Sequence, residues 1–318
     1  MQPAEWQDLI QHAFKFTFWT TTHDTPFRVR TIQGALVNDG QLSPDLVGKT
    51  VEELDTTGRI LKAHHDALRS QQDFDYKANG QTFRIHLIHV PTKKLIAGVA
   101  YDVSHRTAIE QMLRQSRQEI VLRVGRILQY AAGETEHHTE RVGLYSQVIG
   151  HKLGMSEGEA QILRLAAALH DVGKVHNSLR GILLKQGPLE FWERTAIQEH
   201  SQIGRDILSG SDTPVLMMGE DIAWTHHERW DGAGYPRGLK GDQISMHGRV
   251  CAIADMFDAL VTPRPYRSTP IRFDRALEMV ISERGKALCP EGIDAFQDAL
   301  GDILRILHDH ADEPPVKP

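Results

Sequence analysis

Apolar residues recur every three or four positions through most of the second half of the chain, at 138–153, 157–171, 189–208, 214–228, 247–261, 272–283 and 291–309. That is the period of helices burying one face, and no strong strand pattern interrupts it, so an all-α bundle is expected over 131–318. The first 105 residues read differently. Short β-rich runs at 14–20, 28–32, 74–77, 83–90 and 95–101 surround one helical run at 60–68, with turn signals at Asn79-Gly80 and in PTKK (91–94). These predict a small α+β domain over 1–105. Between the two, 106–130 reads as one connecting helix, with Ile109, Leu113, Ser116, Ile120, Val124 and Ile127 three or four apart. Such a stripe suits either a short dimeric coiled coil or a helix packed on its own catalytic domain, and a homodimer is expected.

Composition narrows the classes. With 318 residues, 40% of them hydrophobic and 25% charged, the chain is long enough for two domains with cores of their own. Lys and Arg number 36 against 42 Asp and Glu, and the net charge of -6 argues against a surface that coats long nucleic acids. Cys251 and Cys289 are the only cysteines, which excludes a disulfide framework and a Cys-rich zinc site and fits a reducing cytoplasm. The start, MQPAEWQDLIQHAFKF, lacks a basic stretch followed by an apolar one, and no run reaches the ~18 apolar residues of a membrane span. A cytoplasmic protein is therefore expected. The 18 histidines exceed structural need and point to metal.

The histidines gather where the helical runs end. His170 and Asp171 close the run LAAALHDVGK (165–174), and His226 and His227 open HHERWDGAGYP (226–236). Neighbours on a helix point about 100° apart, so an adjacent pair rarely serves one ion from mid-helix. At helix ends, or across two ions, it can. Two such pairs favour a multinuclear centre, in which a carboxylate such as Asp171 bridges through its two oxygens. Glu134 and His138, four apart, share a helix face and can reach one ion.

Two resemblances extend this reading. SPDLVGKTVEEL (43–54), the helix after it, FRIHLIHV (83–90) and the exit AGVAYDVSHRTAIEQ (97–111) resemble a PAS domain running into a signalling helix. That implies a sensor of small ligands whose particular ligand the fold does not name. His64 and His65 lie on the helix where haem-binding members carry an axial ligand, but a solvated helix face is the expected reading for both. His23 and His105 are likewise expected at the surface.

The helical half, over 131–310, resembles the HD-GYP branch of the HD phosphohydrolases. HDVGK (170–174), EHSQIG (199–204), HHERWDGAGYPRGL (226–239) and AIADMFDAL with RPYR (252–260, 264–267) carry the likeness. It departs from the family at Ser201, at LLKQG (183–187) and at Leu288-Cys289-Pro290, none a ligand position. The resemblance implies metal ligands at His138, His170, Asp171, His200, His226, His227 and Asp255, with Glu134 as a further one and Asp171 as the bridge. Two or three divalent ions are implied, and a donor set of imidazole and carboxylate without thiolate suits iron or manganese. Paired ions about 3.5–4 Å apart serve phosphodiester hydrolysis. Lys174 would stand beside the scissile phosphate, Arg264 and Arg267 would hold phosphates with their planar forks, and Tyr235 would line the cleft. Glu228, Trp230 and Asp231 read as residues that fix the loop. The implied substrate is cyclic di-GMP, opened to pGpG and in some members cut on to GMP. The alternatives are a catalytically weak module that binds the nucleotide or docks a protein partner through the GYP loop, and a phosphohydrolase of other nucleotides.

Overall fold

A computed structural model describes residues 16–34, 44–55, 57–78, 80–132, 137–185, 187–263 and 269–312. The chain divides into two units, 1–115 and 116–318.

The first unit is built on an antiparallel sheet of β1 (Phe16–Thr22), β2 (Val29–Gly34), β3 (Gln72–Ala78), β4 (Gln81–Val90) and β5 (Leu95–Asp102), in the order β2-β1-β5-β4-β3. Alternation along β4 decides which face is covered: Phe83, Ile85 and Leu87 are buried while Arg84 between them is exposed. Ile85 and Leu87 join Phe27, Val51 of the short helix α1 (Val51–Leu54), and Ala63 and Ala67 of α2 (Arg59–Ala67) in one core. Register is pinned where Trp19 of β1 pairs with Gly98 of β5. A Cβ at position 98 would stand 2.2 Å from the Trp19 ring, so the large side chain is accommodated by the absence of one opposite.

One expectation fails in this unit. His64 is not solvated: it is fully buried, its Nδ1 donates to the Ile60 carbonyl at 2.9 Å, and its ring lies 5.5 Å from that of Phe27. Burial holds its pKa below the ordinary imidazole value, although the Ile60 carbonyl works the other way. The neighbouring His65 is exposed, as is His105, whereas His23 is half-buried and stacks on His89.

Helix α3 (Ser104–Ala132) is continuous, and the boundary between the units falls within it. Ile109, Leu113, Ile120, Val124 and Ile127 are between 41% and 67% exposed, while Val121 packs with Leu169, Val172, Leu208 and Ala223 of the second unit. No helix among the described residues is long and apolar enough to cross a membrane.

The second unit is helical: α4 (His138–Lys152), α5 (Glu157–Ala167), α6 (Asn177–Leu183), α7 (Phe191–Leu208), α8 (Pro214–Thr225), α9 (Met246–Val261), α10 (Phe273–Ser282), α11 (Pro290–Asp298) and α12 (Leu300–Asp309). Local chemistry starts them. Ser156 accepts from the Glu159 amide at 3.3 Å and Glu159 accepts from the Ser156 amide at 2.9 Å, which satisfies two backbone donors at the head of α5. The core face of α9, Val250, Ile253, Ala254 and Phe257, is fully buried, with Phe257 against Tyr145 and Phe296 at ring distances of 5.4 and 5.3 Å. The single helix expected over 291–309 is two. Ala299, fully buried at φ -94° and ψ 0°, leaves helical geometry so that Phe296 before it and Ile303 after it reach the same core. Helix α6 has seven residues, too few to show a period in the sequence.

Candidate metal centre

The HDVGK segment lies where α5 has ended. Leu169 and Val172 sink into the core, while His170 and Asp171 between them turn the other way ahead of a 3-10 turn, Val172–Val175. That turn lies directly against α7: a Cβ on Gly173 would meet the His200 carbonyl oxygen at 2.0 Å. The glycine thus sets the spacing between Asp171 and His200, and backbone atoms cannot yield as a flexible side chain would. Gly173→Ala is expected to weaken metal binding by about 10–100-fold, the scale on which misoriented ligands are felt. Competition with a metallochromic chelator checks this, and an unchanged affinity would remove the spacing argument.

His226 and His227 follow the last residue of α8, His138 opens α4 and Asp255 lies on α9. Asp171 stands at the centre. Its Oδ1 is 3.2 Å from His200 Nε2 and 3.7 Å from His226 Nε2, while its Oδ2 is 3.1 Å from His170 Nε2 and 2.5 Å from Lys174 Nζ. Asp255 Oδ1 is 3.5 Å from His138 Nε2 and 3.9 Å from His170 Nε2. Two donor sets result, Asp171 with His200, His226 and His227, and Asp171 with His138 and His170, each with its ligand atoms within 4.8 Å of one another. Asp255 borders the second set.

The proton positions fit cations in both sets. His170 Nδ1 donates to Ala167 O at 2.8 Å, His200 Nδ1 to Ile197 O at 2.6 Å and His226 Nδ1 to Ile222 O at 3.0 Å. A carbonyl only accepts, so each Nδ1 carries a hydrogen, and in the neutral ring that a metal requires the Nε2 lone pair faces the carboxylates. Lone pairs and carboxylate oxygens repel unless positive charge lies among them. Burial keeps His226 below the ordinary imidazole pKa despite the Asp171 carboxylate nearby, and burial with His226 and His200 nearby holds His227 well below it. Both are therefore neutral imidazoles at neutral pH. Burial disfavours charge on Asp171 as well, but the Lys174 ammonium beside it helps to hold the carboxyl well below the usual range.

Two residues essential to this geometry were not foreseen. Asp258, fully buried, accepts from His138 Nδ1 at 2.8 Å and so orients that ring, while fully buried Arg141 pairs with both Asp258 oxygens at 2.6 and 3.1 Å. Burial disfavours ionised Asp258, yet the His138 bond and Arg141 pull its pKa down to about 2. The sequence held a signal: Arg141 lies three after His138 and Asp258 three after Asp255, spacings that share a helix face.

The loop after α8 lies against the centre. Glu228, 3% exposed, accepts from the Arg237 and Leu239 amides at 2.8 and 2.9 Å, and Asp231 accepts from the Ala233 amide at 3.0 Å. Trp230 lies under the Arg249 guanidinium at 5.1 Å. Loop geometry is thereby fixed, and Tyr235 stacks on His227 at 4.7 Å between ring centres. Burial raises the Tyr235 pKa, so the phenol is protonated at neutral pH. A cavity of about 370 Å³ opens beside the centre, lined by His227, Tyr235, Asp255 and Met256 among others. Glu134, Arg264 and Arg267 lie outside the described residues. Neither cysteine takes part: both are buried in the core, where burial pushes the thiols up.

A helical unit in which one carboxylate joins two imidazole sets defines a metal-binding fold class, and the sequence pattern of the HD domain matches residues 123–291. The chain belongs to the HD-domain family. It is 42% identical over 195 residues to a cyclic di-GMP phosphodiesterase of Thermotoga maritima, covering 61% of this chain and 52% of that protein. It is 38% identical over 184 residues to the cyclic di-GMP phosphodiesterase response regulator RpfG of Xanthomonas campestris pv. campestris, covering 58% and 48%. With the 3'3'-cGAMP-specific phosphodiesterase 2 of Vibrio cholerae serotype O1 it shares 36% identity over 194 residues, covering 61% and 37%. The chain thus spans about half or less of the length of these relatives.

Proposed function

We propose that the chain is a metal-dependent phosphodiesterase that hydrolyses cyclic di-GMP to pGpG, GMP or both, under the control of a PAS-like N-terminal domain. The observation that carries this reading is Asp171, whose two oxygens face two separate sets of imidazole lone pairs. The Thermotoga and Xanthomonas relatives, both cyclic di-GMP phosphodiesterases, support the substrate. A module that only bound nucleotide would need no such pair of sets.

Asp171 with His200, His226 and His227, and Asp171 with His138 and His170, would hold two divalent ions, iron or manganese on these donors, which would supply Lewis-acid stabilisation and a water of lowered pKa. The remaining work falls to the chain. Lys174, held at Asp171 Oδ2, keeps an ammonium where negative charge grows on the phosphate. Asp258 fixes the His138 ring, and the Glu228-anchored loop holds Tyr235 against His227 and bounds the cleft. Arg264 and Arg267, by the family resemblance, would bind the substrate phosphates, and Glu134 with His138 would help to hold a third ion.

The exposed apolar stripe of α3 supports a homodimer, and its continuity from the first unit supports a route by which the sensor acts. An antiparallel sheet with a helix packed on one face supports the PAS-like reading. The deciding experiment loads the full chain with iron or manganese and follows cyclic di-GMP and 3'3'-cGAMP separately. Turnover of cyclic di-GMP to pGpG and GMP, faster than that of 3'3'-cGAMP, is expected. Binding without turnover by fully loaded protein would replace this reading with the binding module, and a preference for 3'3'-cGAMP would overturn the substrate.

A further inference from the structure

A second group of ligand-type side chains lies away from Asp171. His137 comes just before α4, Glu140 is on its first turn, and His310 follows α12. One donor atom from each lies within 4.8 Å of the others. Glu140 Oε2 is 3.7 Å from His137 Nδ1 and 3.8 Å from His310 Nδ1. We propose that His137, Glu140 and His310 form a separate binding site for a borderline divalent cation, zinc in the first instance.

Donor chemistry and dimensions both support it. Two imidazoles and a carboxylate, with a fourth position left for water, are a common zinc set. Bonds of about 2.0–2.1 Å in a tetrahedron place ligand atoms roughly 3.4 Å apart, so the two measured separations need shorten by only a few tenths of an ångström. The three side chains are 23–30% exposed, which leaves room for that water. His137 Nδ1 is buried with no hydrogen-bond partner among the described residues, a polar atom facing an acceptor without a hydrogen bond between them.

The backbone beneath these side chains is already held. Arg141 Nη1 donates to the His310 carbonyl at 2.8 Å, Arg141 Nη2 lies 3.0 Å from Asp312 Oδ2, and Asp312 Oδ1 accepts from the His137 amide at 3.0 Å. One buried guanidinium therefore positions both ends of the site, so little ordering remains for the ion to bring about. Arg126 of α3 competes for the site, its Nη2 lying 3.2 Å from Glu140 Oε2. That pair is half exposed and weak, and an ion displaces it readily. The bound ion then ties the end of α12 to the head of α4, next to His138.

The test counts zinc per full chain by elemental analysis after dialysis against a zinc buffer, in the parent, His310→Ala and Glu140→Gln. Each variant should hold one ion fewer than the parent. Zinc at about 100-fold excess over its Kd should raise the parent's Tm by about 5 °C more than that of either variant. Equal zinc counts and equal Tm shifts in all three proteins would overturn the proposal. If His310→Ala folds poorly, Glu140→Gln decides alone, since it removes the charge and keeps the shape. None of these readouts depends on nucleotide turnover, so they stand or fall apart from the phosphodiesterase reading.

Discussion

Replacing Asp171 with Ala is expected to lower turnover of cyclic di-GMP by more than ~10³-fold and to release metal from both donor sets. Deleting a single preorganised stabilising group at an active site costs about 10²–10³. Asp171 contributes to two sets at once, so its loss exceeds that scale. The truncated chain keeps His200, His226 and His227 on one side and His138, His170 and Asp255 on the other, but the carboxylate that joined them is gone. Lys174, whose ammonium lies 2.5 Å from the lost oxygen, adds repulsion toward any incoming cation. Elemental analysis and a single-turnover assay check this together. A variant that kept both ions and a tenth of the activity would show that Asp171 is not the shared ligand.

Arg141→Met is expected to destabilise the helical unit by about 3–5 kcal/mol, because it leaves the fully buried Asp258 carboxylate uncompensated. At 2–4 °C per kcal/mol for a unit of this size, Tm should fall by roughly 6–20 °C. Removing both charges is a different matter. Arg141→Met with Asp258→Leu should recover part of the stability, since a buried pair and its apolar replacement are often near balance, while Asp312 and the His310 carbonyl still lose the guanidinium. Metal affinity should not recover with it, because an aliphatic side chain at that position cannot accept from His138 Nδ1 and so cannot orient the ring. The acid limb separates the roles further. Asp258 titrates at about 2 in the folded chain against about 3.9 for an ordinary Asp, so its contribution is complete above about pH 4 and is lost as pH falls toward 2. Metal-free protein lacking the pair should lose this part of its acid dependence. A melting temperature unchanged in Arg141→Met would contradict the assigned role.

Much of the helical unit was legible because its helices are long and one-faced. The run at 138–153 corresponds to His138–Lys152 and that at 247–261 to Met246–Val261. What escaped was whatever periodicity cannot express. Helix α6 is too short to repeat, and the break at Ala299 follows from tertiary packing that draws Phe296 and Ile303 to one core. His64 was misjudged because a histidine in a strongly amphipathic helix reads as polar, whereas its Nδ1 hydrogen finds the Ile60 carbonyl and its ring finds Phe27. In the candidate centre, residues of the two donor sets were visible as pairs at helix ends. Arg141 and Asp258 were not, since a buried ion pair leaves no trace in a hydrophobic pattern and shows itself only as two polar residues at the spacing of a helix face.

The two oxygens of Asp171 have a consequence for how the centre fills. Each oxygen faces a different imidazole set, yet both ride on one torsion about the Cβ–Cγ bond. A first ion bound there would fix that torsion and thereby place the second oxygen for another, while weakening the hold of Lys174 on the carboxylate. Were both sets to hold ions, their occupancy would be coupled through that one side chain. A centre of that kind would respond to metal supply as a threshold element, with the threshold set by the rotation of one carboxylate.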